Sequence, residues 1–237
     1  MYILPYCGTS EEKMSIWISK LKELCHQHQN LDDAAIMSSY MKNLFPFYGI
    51  KTPKRKELVK QVHKELGFPK EEDWSTIARH AFTGDHHREI QYAIGDLLRP
   101  KAHKLPLSFL PVVEELIQIK SWWDTVDWLS PTLAGGILLR HPEKCAEYPD
   151  RWIISENKWL VRSAILYQLK YKSNVDTQRL ESYCLQHKDS KEFFIQKGMG
   201  WMLREYSKRN PSWVHNFFLS HNLPSLTIRE GAKYIEL

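Results

Sequence analysis

The segment Trp122-Trp123-Asp124-Thr125-Val126-Asp127-Trp128-Leu129 sets three indoles and two carboxylates within eight residues. A carboxylate among aromatic rings loses hydration and needs a cationic partner or a positively charged substrate, while an indole buries well but seeks a partner for its N–H. The segment is therefore either a packed helix end with two surface acids or the wall of a site that meets positive charge. Residues 152–162 and 193–206 mix aromatic and charged side chains in the same way. On a helix Lys197, Trp201 and Arg204 are spaced by four and three and share one face, and Trp123 and Asp127 are likewise four apart. Such a surface is aromatic at its centre and cationic at its edges, which suits duplex phosphates outside and an electron-poor group inside.

The elements that must hold these residues read as helices. Residues 16–24 and 112–119 show helical rather than alternating periodicity, and no hairpin signal intervenes. Breaks at residues 49–53, 67–69, 83–85, 99–100, 141–142, 148–149, 210–211 and 223–224 cut the chain into short helices, the punctuation of stacked helix pairs. Sliding the sequence by 35 residues lays Leu160–Leu166 on Ile195–Trp201 and, more weakly, on Thr125–Pro131. A period of this length belongs to helical solenoids, in which each pair buries its apolar face on its neighbours. Asp127, Arg162 and Lys197 occupy one repeat position, with Tyr92 one step earlier. If inner helices line one surface, these four form a ladder across it; solvated helix faces are the alternative.

Composition bounds the rest. The 237 residues, 43% hydrophobic and without low-complexity stretches, can bury a sizeable core and argue for order nearly throughout. Thirty-three Lys and Arg against 28 Asp and Glu give a net charge of +5, a moderate lean toward an anionic partner. Cys7, Cys25, Cys145 and Cys184 lie far apart without metal-ligand spacing, so neither a zinc site nor a disulfide framework is expected. His86 and His87 point apart on a helix and lack a carboxylate-histidine partner, so no metal is expected there. The first seven residues have no basic leader or long apolar core, and no run reaches the length of a membrane span. A cytoplasmic protein with no membrane partner is the expectation.

With these segments in view, the sequence resembles the AlkD-type DNA alkylation repair glycosylases. The resemblance rests on residues 121–127, 159–171 and 190–206, with 40–53 upstream, and runs from about residue 12 to the C-terminus. It implies one domain over residues 1–237, an all-α HEAT-like helical repeat solenoid, or α-α superhelix, with a concave DNA-binding cleft. It implies a monomeric bacterial enzyme, nucleoid-associated in use, that excises positively charged N3- and N7-alkylated purines such as 3-methyladenine and 7-methylguanine from double-stranded DNA. The implied catalytic acid is Asp127, with the indoles Trp123 and Trp201 facing the lesion's deoxyribose and Arg162 beside the acid. Implied DNA contacts are Tyr40 and Thr52 on the strand opposite the lesion, Lys51 in the minor groove, and Lys170 and Arg204 on phosphates, to which the ladder adds Lys197. Lys51 departs from the polar uncharged residue of relatives.

The chemistry is coherent for those residues. A purine alkylated at N3 or N7 is already cationic and leaves readily, so no strong general acid is required. Breaking the glycosidic bond develops an oxocarbenium-like cation on the sugar, which a carboxylate stabilises while it orients the attacking water. Indole faces add quadrupole attraction to the growing positive charge. Arg162 would keep Asp127 ionised and oriented, or bind the adjacent phosphate, and either duty predicts a depressed acid pKa. The resemblance also implies action on a lesion left in the base stack rather than flipped out. No lysine is placed as an amine nucleophile, so base removal without strand cleavage, and without cofactor, is expected.

Asp124 is the rival acid and reads as structural. Trp122, Trp128, Trp152 and Trp159 read as packing. The run of residues 51–56 reads either as a solvated helix start or as a backbone clamp. Two other functions compete: a non-catalytic helical-repeat protein recognising damaged or branched DNA, and a protein-binding solenoid. The charged and aromatic rung argues against both.

Overall fold

A computed structural model describes residues 8–236; residues 1–7, which include Cys7 and the N-terminal stretch considered above, and Leu237 lie outside the described residues. Among the described residues there are helices and loops and no strand, as the periodicity requires. The chain divides into two compact units, residues 1–101 and 102–237.

In the first unit, α1 (Ser10–Gln27) begins at a capping box in which the Thr9 side chain accepts from the Glu12 N–H and Glu12 returns to the Thr9 backbone. Its buried residues Met14, Trp17, Ile18, Leu21, Leu24 and Cys25 recur at helical spacing and face α3 (Thr52–Leu66) and α4 (Trp74–Thr83). Between them α2 (Leu31–Tyr40) buries only Ala34. The unit closes with α5 (Arg88–Leu98), packed on α3 and α4. The loop leading into α3 is held by one buried carboxylate: Glu89 accepts the backbone N–H groups of Tyr48, Gly49 and Ile50 at 3.1, 2.9 and 3.1 Å. Burial raises the Glu89 pKa, and the three N–H donors pull against that shift.

The second unit runs through α6 (Leu110–Gln118), α7 (Trp123–Trp128), a π-helical turn at Leu129–Ala134 and α8 (Gly135–Leu138). It continues with α9 (Pro149–Trp152), α10 (Lys158–Leu166), α11 (Thr177–Gln186), α12 (Phe193–Ser207), α13 (Pro211–Ser220) and α14 (Ser225–Gly231). In α10 every residue from Trp159 to Leu166 is buried, because neighbours cover it on all sides: α9, α12, α7 and the π-turn. At α12 the Gly200 backbone lets α14 approach, since a Cβ there would stand 2.6 Å from that of Glu230.

The repeat expected from the sequence appears in the helix starts: α5, α7, α10 and α12 begin at residues 88, 123, 158 and 193, one 35-residue step apart. In the second unit α10 packs on both α7 and α12, so these three, the inner helices of the expected pairs, recur as in a helical repeat array. The tryptophans assigned to packing divide: Trp152 is fully buried and Trp128 and Trp159 nearly so, whereas Trp122 is half-buried. Cys25, Cys145 and Cys184 are buried free thiols, and burial raises all three pKa values, those of Cys25 and Cys184 to about 12. Among the described residues no helix is long and apolar enough to cross a membrane, and no three His, Cys, Asp or Glu side chains assemble as metal ligands.

Gly49 carries the tightest constraint on the loop before α3: its φ is +81°, and a Cβ would lie 2.0 Å from the Asn30 carbonyl oxygen. Gly49→Ala is expected to destabilise the protein by more than about 2 kcal/mol, from left-handed strain plus the backbone clash. Urea denaturation read by circular dichroism measures it.

Candidate active site

Asp127 lies in the last turn of α7 and Arg162 in the middle of α10, one repeat later. Their side chains meet in a bidentate pair, with Arg162 Nε donating to Oδ1 at 2.8 Å and Nη2 to Oδ2 at 2.9 Å. Nη1 donates to the Phe194 carbonyl in the first turn of α12. All three N–H-bearing arms of the guanidinium are thus engaged, and it cannot turn without breaking one of them. Gly198 makes room for it: a Cβ at that position would stand 3.2 Å from Nη1. The acid, the cation and the carbonyl come from three successive inner helices, so the packing of the repeats sets the geometry.

The pair is largely withdrawn from water, with side-chain exposures of 5% for Arg162 and 18% for Asp127. Sequence reasoning expected a depressed Asp127 pKa, and here the structure corrects it. Burial, the largest influence, pushes the carboxyl up; the hydrogen bonds and charge of Arg162 pull it down without cancelling that shift, and Asp124 adds a push upward. The outcome is a balance, and at Asp127 the loss of hydration outweighs the stabilisation of the carboxylate by Arg162. Since the folded value exceeds the unfolded one, Asp127 costs native-state stability as pH rises through the interval between them.

Around the pair stands an aromatic wall. Trp122 meets Trp159 and Phe194 edge-on at centroid distances of 5.5 and 5.0 Å, and Trp159 and Phe194 are 4.9 Å apart. The Trp122 indole N–H is buried without a hydrogen-bond partner. Trp122 is extended at φ −156°, and this break starts α7 at Trp123, leaving Asp124 in the first turn where a negative charge suits the helix dipole. Trp123 and Trp201 are both half-buried, the latter one turn beyond the Gly198 that contacts Arg162.

The predicted basic residues are distributed differently from a bare cationic rim. Lys197 and Arg204 each lie 3.3 Å from Glu230 on α14, which Lys233 also approaches at 3.3 Å. Glu230 escaped the sequence reading because it lies 33 and 26 residues from its two partners on α12, with no periodic signal linking them. Lys170 donates to Thr132 at 2.7 Å. In the first unit Tyr40 is 68% exposed at the end of α2, Lys51 precedes α3 and pairs with Asp33 at 2.8 Å, and Thr52 opens that helix, accepting from Arg55 at 3.2 Å. In residues 51–56 Lys51, Thr52, Pro53 and Lys56 are exposed, as a solvated helix start implies, and Arg55 is the exception, buried and paired with Asp96 at 2.9 Å. The two histidines have other duties, His86 bonding the His80 carbonyl and His87 stacking on Tyr48.

An all-helical repeat protein with a buried acid-arginine pair among indoles is the class that fold and site define. A model of the DNA alkylation repair enzyme family matches residues 21–235, and the chain belongs to that family. Its structure is similar to that of a predicted DNA alkylation repair enzyme from Enterococcus faecalis, with 34% sequence identity and a TM-score of 0.77 over 87% of this chain and 96% of that one. No curated protein matches the chain. Family membership places it in DNA repair, with DNA as its partner.

Removing Arg162 tests the balance of forces on the acid. Arg162→Ala leaves burial unopposed, so the Asp127 carboxyl titration, followed by carbon-13 NMR, is expected to move to higher pH. Leaving one partner of a buried pair alone is also expected to cost about 3 kcal/mol of stability.

Proposed function

We propose that this chain is a monofunctional DNA glycosylase that removes cationic N3- and N7-alkylated purines from duplex DNA by hydrolysis of the N-glycosidic bond. The observation that carries this reading is the immobilised, largely buried Asp127 carboxylate with Trp123 one helical turn before it and Trp201 on the next inner helix but one. A buried ion pair contributes little net stability, so its presence in a family of repair enzymes supports a chemical role. Asp127 then stabilises the developing sugar cation and orients the attacking water, while the two indoles line the deoxyribose. Arg162 holds the carboxylate in one orientation. As the glycosidic bond breaks its electron pair stays with the base and neutralises it, so the base leaves uncharged, the positive charge develops on the sugar, and the site needs no strong proton donor.

Phosphate contacts in this reading come from Lys170, Lys197 and Arg204 in the second unit, and from Lys51 and Thr52 with Tyr40 in the first. Engagement of Lys197 and Arg204 with DNA competes with Glu230. Binding is accordingly expected to weaken steeply with salt.

The test is release of 7-methylguanine from methylated duplex DNA. Asp127→Asn is expected to lower kcat by at least about a hundredfold with DNA affinity retained, and Trp123→Ala by roughly tenfold. Activity needs the ionised acid, so it falls as pH drops, and the raised Asp127 pKa puts this acid limb above the range of an exposed aspartate. Native protein that binds duplex but releases no base would leave the non-catalytic, damage-recognising reading in its place.

A further inference from the structure

The helix that carries Asp127 does not continue as an α-helix. Pro131 stands four residues after Asp127; it has no N–H to donate to the Asp127 carbonyl, and in an α-helix its ring would press on that carbonyl. At this point the backbone widens into the π-turn of Leu129–Ala134, closed by the Gly135 N–H on the Ser130 carbonyl. One extra residue in a turn rotates the helix before it by about 100° relative to the helix after it.

The turn and the helix beyond it are anchored to α10, which carries Arg162. The Ser130 hydroxyl, fully buried, donates to the Ser163 carbonyl at 2.8 Å. The Gly135 backbone lies so close to the end of α10 that a Cβ would stand 2.1 Å from the Tyr167 carbonyl oxygen, and the Tyr171 hydroxyl donates to the Gly135 carbonyl at 2.9 Å. Ser130 therefore grips the residue next to Arg162, while Asp127, three residues earlier, grips Arg162 itself. Asp127 and Ser130 meet α10 before the wide turn and at its start, and Gly135 is pinned to the end of α10 just beyond it, so the turn sets the phase between these contacts.

We propose that the π-turn, through Ser130 and Pro131, is the positioning device that aims the Asp127 carboxylate at Arg162 and so at the reacting sugar. Neither residue touches the reacting atoms; both act through Asp127. The aim at Arg162 stands on the geometry alone, and the aim at the sugar rests on the glycosylase reading. The charged groups that face the carboxylate are Arg162 from α10 and Asp124 from its own helix, while Lys197 of α12 is engaged with Glu230.

Pro131→Ala restores a donor and lets the α-helical register compete, and Ser130→Ala removes the anchor with little change of volume. Two readouts are compared for native protein and both variants: kcat for 7-methylguanine release against affinity for the duplex, and the Asp127 carboxyl titration by carbon-13 NMR. Both variants are expected to lose roughly tenfold or more in kcat with affinity unchanged, since small misplacement of a reacting group is costly. Their Asp127 titration is expected to shift upward as the Arg162 hydrogen bonds loosen. Native kcat and native titration in both variants, whatever their thermal stability, would overturn the proposal. If native protein releases no base, the glycosylase reading fails, and the NMR arm still decides whether the turn aims the acid.

Discussion

A carboxylate and a guanidinium that water would otherwise hydrate face each other here across two helices, and most of what is distinctive in the second unit serves to keep them there. Withdrawing each charge costs several kcal/mol, which mutual attraction recovers only with good geometry and with the remaining donors satisfied. Arg162 meets that condition through two bonds to Asp127 and one to the Phe194 carbonyl. Such a pair is a poor way to gain stability. In the proposed reaction it fixes a negative charge where a positive one would form, with little reorganisation left for the moment of reaction.

The repeat is what makes this geometry accessible. Asp127 and Arg162 are 35 residues apart, so neighbouring inner helices present the same position to each other. Close approach then depends on small residues: Gly198 admits the guanidinium and Gly135 admits the backbone at the end of α10. Where the helix cannot stay regular, at Pro131, the wide turn absorbs the irregularity. Local sequence and tertiary contacts agree at this point, since the proline that forbids the α-register sits beside the serine that anchors the alternative.

Charge is managed outside the pair as well as within it. Glu230 gathers Lys197, Arg204 and Lys233 on one carboxylate, whose pKa Lys197 and Lys233 lower despite the opposing effect of burial. Three cations held close together without DNA would otherwise repel one another. In the first unit the buried Glu89 carboxylate has the contrasting task of satisfying three backbone donors in the loop before α3, where no helix or sheet can do so. Both acids act as local organisers of segments that carry the predicted DNA contacts.

Much of this was legible in the sequence. Helical periodicity, the punctuation by Pro and Gly, and the 35-residue self-similarity determined an all-helical repeat, because burial of one face per helix imposes a period on any chain that folds this way. The aromatic-acidic segment and its basic counterparts marked Asp127 and Arg162 as equivalent rungs. The sequence could not decide whether Arg162 pairs with Asp127 or binds a phosphate, that Lys197 turns to Glu230, or that Arg55 is buried on Asp96, since each depends on which helices become neighbours. Nor could it decide the direction of the Asp127 pKa. Residue types name the charge beside an acid, but the amount of water left around it is a property of the packed structure alone, and desolvation is the force that prevailed.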